Sequence, residues 1–161
     1  MKAAILTISD KGSRGERVDT SGPVLAAWLR ERKVDVVHTE IVPDEEEQIA
    51  QALRNLADRE QAELVLTTGG TGVSPRDVTP DATLRVVEKV LPGFGEAMRA
   101  AGLKQLATAI VSRALAGVRN RTLIINLPGS PKGAIESLAA VWPAIPHAIE
   151  KLQGDSKDCA S

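Results

Sequence analysis

Aromatic residues are nearly missing from this chain: tyrosine is absent, and Trp28, Phe94 and Trp142 are all it has. Its core must therefore be aliphatic, and it lacks the stacking platforms that hold single-stranded nucleic acid. Cysteine occurs once, as Cys159, which excludes an intrachain disulfide framework and a cysteine-based zinc site; His38 and His147 are too few to replace one. No apolar run reaches the roughly 18 residues of a membrane helix. The stretch Met1 to Leu6 is strand-like and shorter than the apolar segment of a signal peptide. Net charge is -1, so no global basic field draws in nucleic acid, and any anionic ligand must be held by a local cluster. These absences predict a cytoplasmic protein with small-molecule ligands, no nucleic-acid partner and no membrane.

What is present is ordinary for a globular domain: 161 residues, 43% apolar and 25% charged. A chain of this length buries roughly 70% of its unfolded surface, enough for a core on both sides of a sheet. A single domain over residues 1–153 is expected, with a polar tail at 154–161.

Ala3 to Ile8 is apolar and partly β-branched, and reads as a buried first strand. Lys11 to Asp19 reads as a loop, and Thr20 or Ser21 as the cap of a helix through Leu25, Trp28 and Leu29 to about Arg32. Val34 to Ile41 reads as a second strand, ended by Pro43-Asp44. Asp44 followed by Glu47 resembles a capping box, opening a helix with an Ile49, Leu53 and Leu56 stripe. Glu63 to Thr67 is the third strand. Thr79-Pro80 supplies a cap and a first-turn proline for a helix to about Leu91. Pro92-Gly93 breaks it, and another helix follows from Phe94 to Ala101. Thr108 to Val111 fits strand or helix, and Arg121 to Asn126 reads as a strand. Ser130-Pro131 opens a helix through Ile135, Leu138 and Val141. Pro143 interrupts it before a last helix from about Ala144 to Leu152. This alternation predicts an α/β fold with βαβ units and a mostly parallel sheet. Such sheets bind ligands beyond the carboxyl ends of their strands. The polar segments after Ile8, Ile41, Leu66 and Ile125 would all lie on that rim.

The richest of these segments is Thr67-Thr68-Gly69-Gly70-Thr71-Gly72, directly after Leu64-Val65-Leu66. Glycine admits positive φ and close approach of a ligand, while threonine hydroxyls and bare N–H groups suit phosphate oxygens. A second such loop, Asn126-Leu127-Pro128-Gly129-Ser130-Pro131-Lys132, follows Leu123-Ile124-Ile125. The first loop is not a Walker loop, which needs a Lys-Ser/Thr pair, nor the G-x-G-x-x-G dinucleotide pattern. Asp77, just past the first loop, fits either a solvated turn or a metal-binding carboxylate; Mg²⁺ on a nucleotide takes one or two carboxylates plus phosphate oxygens. Asp44 fits either a helix cap or a second such carboxylate. Ser130 and Lys132 begin a helix whose N-terminus also suits phosphate.

Ordered along the chain, these strings resemble the MogA/MoaB family of molybdenum cofactor biosynthesis, related to the G domain of gephyrin. The strings are Ile8-Ser9-Asp10, Pro43-Asp44, Thr67 to Gly72, Arg76 to Thr83, Ser112-Arg113-Ala114 with Ala116-Gly117, and Asn126 to Lys132. The resemblance covers about residues 4 to 153. It implies a three-layer α/β/α sandwich and a molybdopterin adenylyltransferase, a nucleotidyltransferase moving AMP from MgATP to the terminal phosphate of molybdopterin. It implies catalytic and metal-binding roles for Asp44 and Asp77. Substrate and nucleotide contacts are expected from Ser9, Asp10, Thr68, Gly69, Gly70, Thr71, Gly72, Arg76, Ser112, Arg113, Asn126, Pro128, Gly129, Ser130 and Lys132. The family also implies a homotrimer, or a hexamer of trimers, and a metal-insertion partner protein. A non-catalytic molybdopterin carrier and a nucleotide hydrolase are the competing expectations.

Overall fold

The computed structural model describes residues 1–154; most of the expected polar tail, with Cys159, lies outside the described residues. Six strands form one sheet: β1 (Lys2–Ile8), β2 (Asp35–Val42), β3 (Leu64–Thr68), β4 (Lys89–Val90), β5 (Ala116–Arg119) and β6 (Thr122–Leu127), in the order β2-β1-β3-β6-β5-β4. β2, β1, β3 and β6 run parallel; β5 is antiparallel to both β6 and β4. The central strands are apolar on both faces because helices cover both. Ala3, Ile5, Leu64, Leu66, Leu123 and Ile125 face one core, and Ala4, Leu6, Ile8, Val65 and Ile124 face the other.

The first core is closed by α2 (Ser21–Glu31), α5 (Pro92–Leu103), α6 (Pro131–Val141) and α7 (Ile145–Leu152), and the second by α3 (Glu46–Asp58) and α4 (Thr79–Leu84). The result is the expected α/β/α sandwich with a mostly parallel sheet. α3 forms because Ile49, Leu53 and Leu56 recur at helical spacing and are fully buried, while its other face is charged.

Several local expectations are corrected. Within the predicted loop 11–19, a short helix α1 (Asp10–Ser13) forms, capped by Ser9, whose Oγ accepts from Gly12 N at 3.0 Å. Neither Thr20 nor Ser21 caps α2 through its side chain. Asp19 does, with Oδ1 accepting from Ser21 N at 3.1 Å and Gly22 N at 3.0 Å. α3 has no capping box, because Asp44 turns away to the chain leaving β1. Thr79 does not cap α4, and α4 ends at Leu84 instead of about Leu91, because residues 89–90 pair with β5. β5 itself carries no signal beyond three small or β-branched residues before Arg119; the tight Asn120 turn, at φ 51°, folds it against β6. Residues 107–111 form a 3₁₀ turn.

The strand order places a switch point between β1 and β3. From β1 the chain leads to α2 on one face; from β3 it leads to α4 on the other. The two departing segments diverge and leave a crevice at the carboxyl edge, where such folds bind ligands.

Candidate functional site

The rim is assembled from four strand ends in register. Thr7 pairs with Ile41 and Thr68, and Thr68 with Leu127, so the segments after all four strands emerge side by side. Gly69 and Gly70 carry φ of 107° and 63°, the left-handed region that disfavours side chains. A Cβ on Gly69 would collide with the Ile8 carbonyl oxygen, and one on Gly70 with Thr79 Oγ1 while lying 3.2 Å from Asp44 Oδ1. The loop thus lies flat against the ends of β1 and α4. Gly69→Ala is expected to lower stability by about 2 kcal/mol or more, readable as a shifted urea midpoint at unchanged slope.

The two glycine loops are joined. Thr68 Oγ1 donates to Pro128 O at 2.7 Å, Gly69 N to Leu127 O at 3.2 Å, and Ser21 Oγ to Gly129 O at 2.6 Å. Thr79 Oγ1 donates to Gly69 O at 2.9 Å, fixing the first loop from below. Two cavities flank the joined pair. One, of about 250 Å³, is lined by Thr71, Gly72, Pro128, Ser130, Ser112 and the α5 side chains Met98 and Arg99, among others. The other, of about 240 Å³, is lined by Thr7, Ser9, Asp19, Ser21, Thr68 and Gly129, among others. Two roomier hollows open at the opposite strand ends, beside Glu63 and Gln153, far from both glycine loops.

Asp44 is held by a reciprocal pair of bonds. Asp10 N donates to Asp44 Oδ2 at 2.8 Å, and Asp44 N to Asp10 Oδ1 at 3.0 Å. Arg76 braces Asp10 with a fork, Nε to Oδ2 at 3.0 Å and Nη2 to Oδ1 at 2.9 Å, and reaches Glu45 Oε1 at 2.8 Å. That fork holds the Asp10 carboxyl below its ordinary range. Asp44 moves the other way: partial burial raises it, and the charges of Asp10 and Asp77 add to the effect. Asp77 Oδ2 accepts from Ser74 N at 2.9 Å and Ser74 Oγ at 2.6 Å, and would lie 2.8 Å from a Cβ on Gly72. Asp44 Oδ1 and Asp77 Oδ1 accept no hydrogen bond among the described residues. No group of three or more His, Cys, Asp or Glu gathers there, among the described residues, to form a metal cage. Two open carboxylate oxygens beside a glycine loop fit a cation carried in by phosphates, which needs only one or two protein ligands.

The structure brings most of the expected residues to this rim, but not all in the expected manner. Asn126 is fully buried; its Nδ2 donates to Thr67 Oγ1 at 3.1 Å and Thr83 Oγ1 at 2.9 Å, so it braces β3 and α4. The Thr68 hydroxyl is likewise buried and engaged. Ser9 and Ser130 cap α1 and α6. Arg76 and Arg113 are engaged by carboxylates, and the exposed Lys132 lies 3.7 Å from Glu136. Ser112 lines the first cavity. The sequence reading gives no site role to Asp19, Glu45 or Asp81 and assigns Thr79 only a capping one. Asp19 was detectable, because aspartate outranks threonine as a cap; the others are partners across space and leave no local trace.

A doubly wound α/β domain with paired glycine loops at its switch point is a class of domain that binds anionic ligands at the strand ends. Residues 4–147 match the family model described as "Probable molybdopterin binding domain". The chain belongs to that family of molybdenum cofactor biosynthesis proteins. It is 48% identical over 153 residues to the molybdopterin adenylyltransferase of Helicobacter pylori strain J99, covering 94% of this chain and 87% of the relative. The Escherichia coli K12 molybdopterin adenylyltransferase is 40% identical, with 96% and 86% covered. The crystal structure of the molybdopterin biosynthesis enzyme MoaB from Thermus thermophilus superimposes with a TM-score of 0.89 at 51% identity, covering 96% of this chain and 97% of that one.

Proposed function

We propose that this chain is a molybdopterin adenylyltransferase, a nucleotidyltransferase that moves AMP from ATP to the terminal phosphate of molybdopterin and releases pyrophosphate. Residues 1–153 act as one binding domain. The carrying observation is the pair of open oxygens, Asp44 Oδ1 and Asp77 Oδ1, beside a rigid glycine loop with a cavity on each side. One cavity per substrate brings two phosphates together at the loop between them.

A terminal phosphate oxygen of molybdopterin attacks the α-phosphorus of ATP; the new anhydride bond forms as the bond to pyrophosphate breaks. The nucleophile is already an anion, so no activated serine or cysteine is needed. Charge repulsion is the main obstacle, and Mg²⁺ entering with ATP supplies the positive charge that offsets it. Asp44 and Asp77 are the residues that would hold that cation. With the Gly69 N–H engaged by Leu127 O, the loop at Gly70 to Gly72 offers backbone N–H groups preorganised by Thr79, Thr68 and Arg113, which adds electrostatic stabilisation without rearrangement. The helix N-terminus at Ser130 is a further phosphate position.

Purified protein given molybdopterin and MgATP is expected to form adenylyl-molybdopterin and pyrophosphate in equal amounts. Bound pterin without product would mark a carrier, and ATP turnover indifferent to pterin would mark a hydrolase. We extend the proposal to a cytoplasmic homotrimer or a hexamer of trimers, and to hand-over of product to a metal-insertion protein. Leu106, Ile110 and Val111 are 61%, 66% and 50% exposed and offer apolar surface for assembly. No helix among the described residues is long and apolar enough to cross a membrane.

A further inference from the structure

We propose that Arg113 and Asp81 are positioning residues, which act as a staple holding Asp77 in place instead of contacting substrate. The catalytic consequence rests on the adenylyltransferase reading; the staple itself does not. Arg113 N donates to Thr71 O at 2.8 Å and Nε to Gly72 O at 2.8 Å. Nη1 donates to Asp81 Oδ1 at 3.0 Å, and Nη2 to Asp81 Oδ2 at 2.8 Å and to Asp77 O. One residue from a distant connection thus grips the segment 71–81 at four positions. Val73 is 70% exposed, and among the described residues the Asp77 carboxylate accepts hydrogen bonds from Ser74 alone, three residues away; Arg76 ties the segment to Asp10 and Glu45 on one side, and Arg113 holds it on the other.

The staple is itself anchored. Arg99 of α5 donates from Nη1 to Ser112 O at 3.2 Å and Ala114 O at 2.9 Å, the carbonyls on either side of Arg113. Arg99 and Ser112 also line the larger of the two rim cavities. A continuous chain of bonds therefore runs from that cavity wall to Asp77. A guanidinium has five N–H donors; with the fork on Asp81 and two loop carbonyls engaged, little remains for a phosphate.

Asp81→Asn separates the two roles, because it removes the carboxylate that accepts the Arg113 fork while leaving the Arg113 guanidinium in place. Under the staple, Asp81→Asn and Arg113→Ala each lower kcat about tenfold to a hundredfold. KM for ATP changes little, more Mg²⁺ is needed, and the double variant is no worse than either single one. Arg113→Lys rescues little, because lysine cannot fork. Wild-type kcat in Asp81→Asn, beside a raised KM for ATP in Arg113→Ala, would overturn the proposal in favour of direct substrate contact. Hydrogen exchange on ligand-free protein gives an arm independent of activity. Amides 71–78 should exchange faster in Asp81→Asn while β1, β3 and β6 stay protected; unchanged exchange at 71–78 would also overturn it. If wild type makes no adenylyl-molybdopterin, the functional reading fails and the exchange result alone decides the staple.

Discussion

Asp77→Asn is expected to lower kcat for adenylyl transfer by about a thousandfold, equal to about 4 kcal/mol of transition-state stabilisation, in a protein that still folds. The amide oxygen of asparagine can accept the Ser74 N and Oγ hydrogens that Asp77 Oδ2 accepts, so the turn survives. What disappears is the negative charge shared with Oδ1, the oxygen that accepts no hydrogen bond among the described residues. Losing half of a two-carboxylate grip on a cation costs most when the cation offsets phosphate charge in the transition state. Steady-state kinetics across a Mg²⁺ series, beside a thermal unfolding curve, reads both halves. Wild-type turnover with an unaltered Mg²⁺ requirement would return Asp77 to a solvated turn.

Asp44→Asn should lose activity on a similar scale while gaining stability. Burial, the largest cause, raises the folded-state pKa of Asp44 above its ordinary value. The stabilisation belonging to its protonated form is present in full below the unfolded pKa. It is lost as pH rises through the folded one. At neutral pH the ionised carboxylate is therefore a liability to folding, and a neutral isostere removes it. Asparagine still accepts the Asp10 N hydrogen through its amide oxygen. Urea unfolding at neutral pH should show Asp44→Asn at least as stable as wild type, with the difference vanishing at acid pH. Activity runs opposite, because only the ionised form serves a cation. The acid limb of kcat/KM should fall above the ordinary carboxylate range. Arg76→Ala should move that limb higher still, since the Arg76 charge lowers the Asp44 pKa. An acid limb unmoved by Arg76→Ala would remove Asp44 from the reaction.

A stabilised yet inactive variant would fit a site that holds like charges together for a function. Asp44 lies within electrostatic reach of Asp10 and Asp77, and the Arg76 fork engages Asp10 and Glu45 beside it. Arg76 offsets part of this charge, and a metal-bound nucleotide would offset the rest.

Where the chain carries its information locally, the sequence was readable. The strands β1, β3 and β6 announce themselves as continuous aliphatic runs, α3 by its stripe, and α6 by Ser130-Pro131. The loop at 67–72 points to anion binding through residue type alone. Errors arose wherever a partner lay far away in sequence. Asp44 beside Glu47 has the pattern of a cap, but Asp10 N is the hydrogen it accepts. Residues 85–91 read as helix, yet 89–90 pair with β5. Asn126 reads as a rim residue, but the two threonines it bonds, Thr67 and Thr83, lie below the rim.

The sequence by itself determined the α/β class, the parallel centre of the sheet and the identity of the two glycine turns. Hydrophobic period and backbone permissiveness are properties of adjacent residues. Only the tertiary structure decided which charges are open and which are engaged. It closed the guanidiniums of Arg76 and Arg113 on Asp10 and Asp81 and left one oxygen each of Asp44 and Asp77 open. The physical reason is that a hydrogen bond is selected by distance in space, and the strand order 2-1-3-6 brings together loops that lie far apart along the chain.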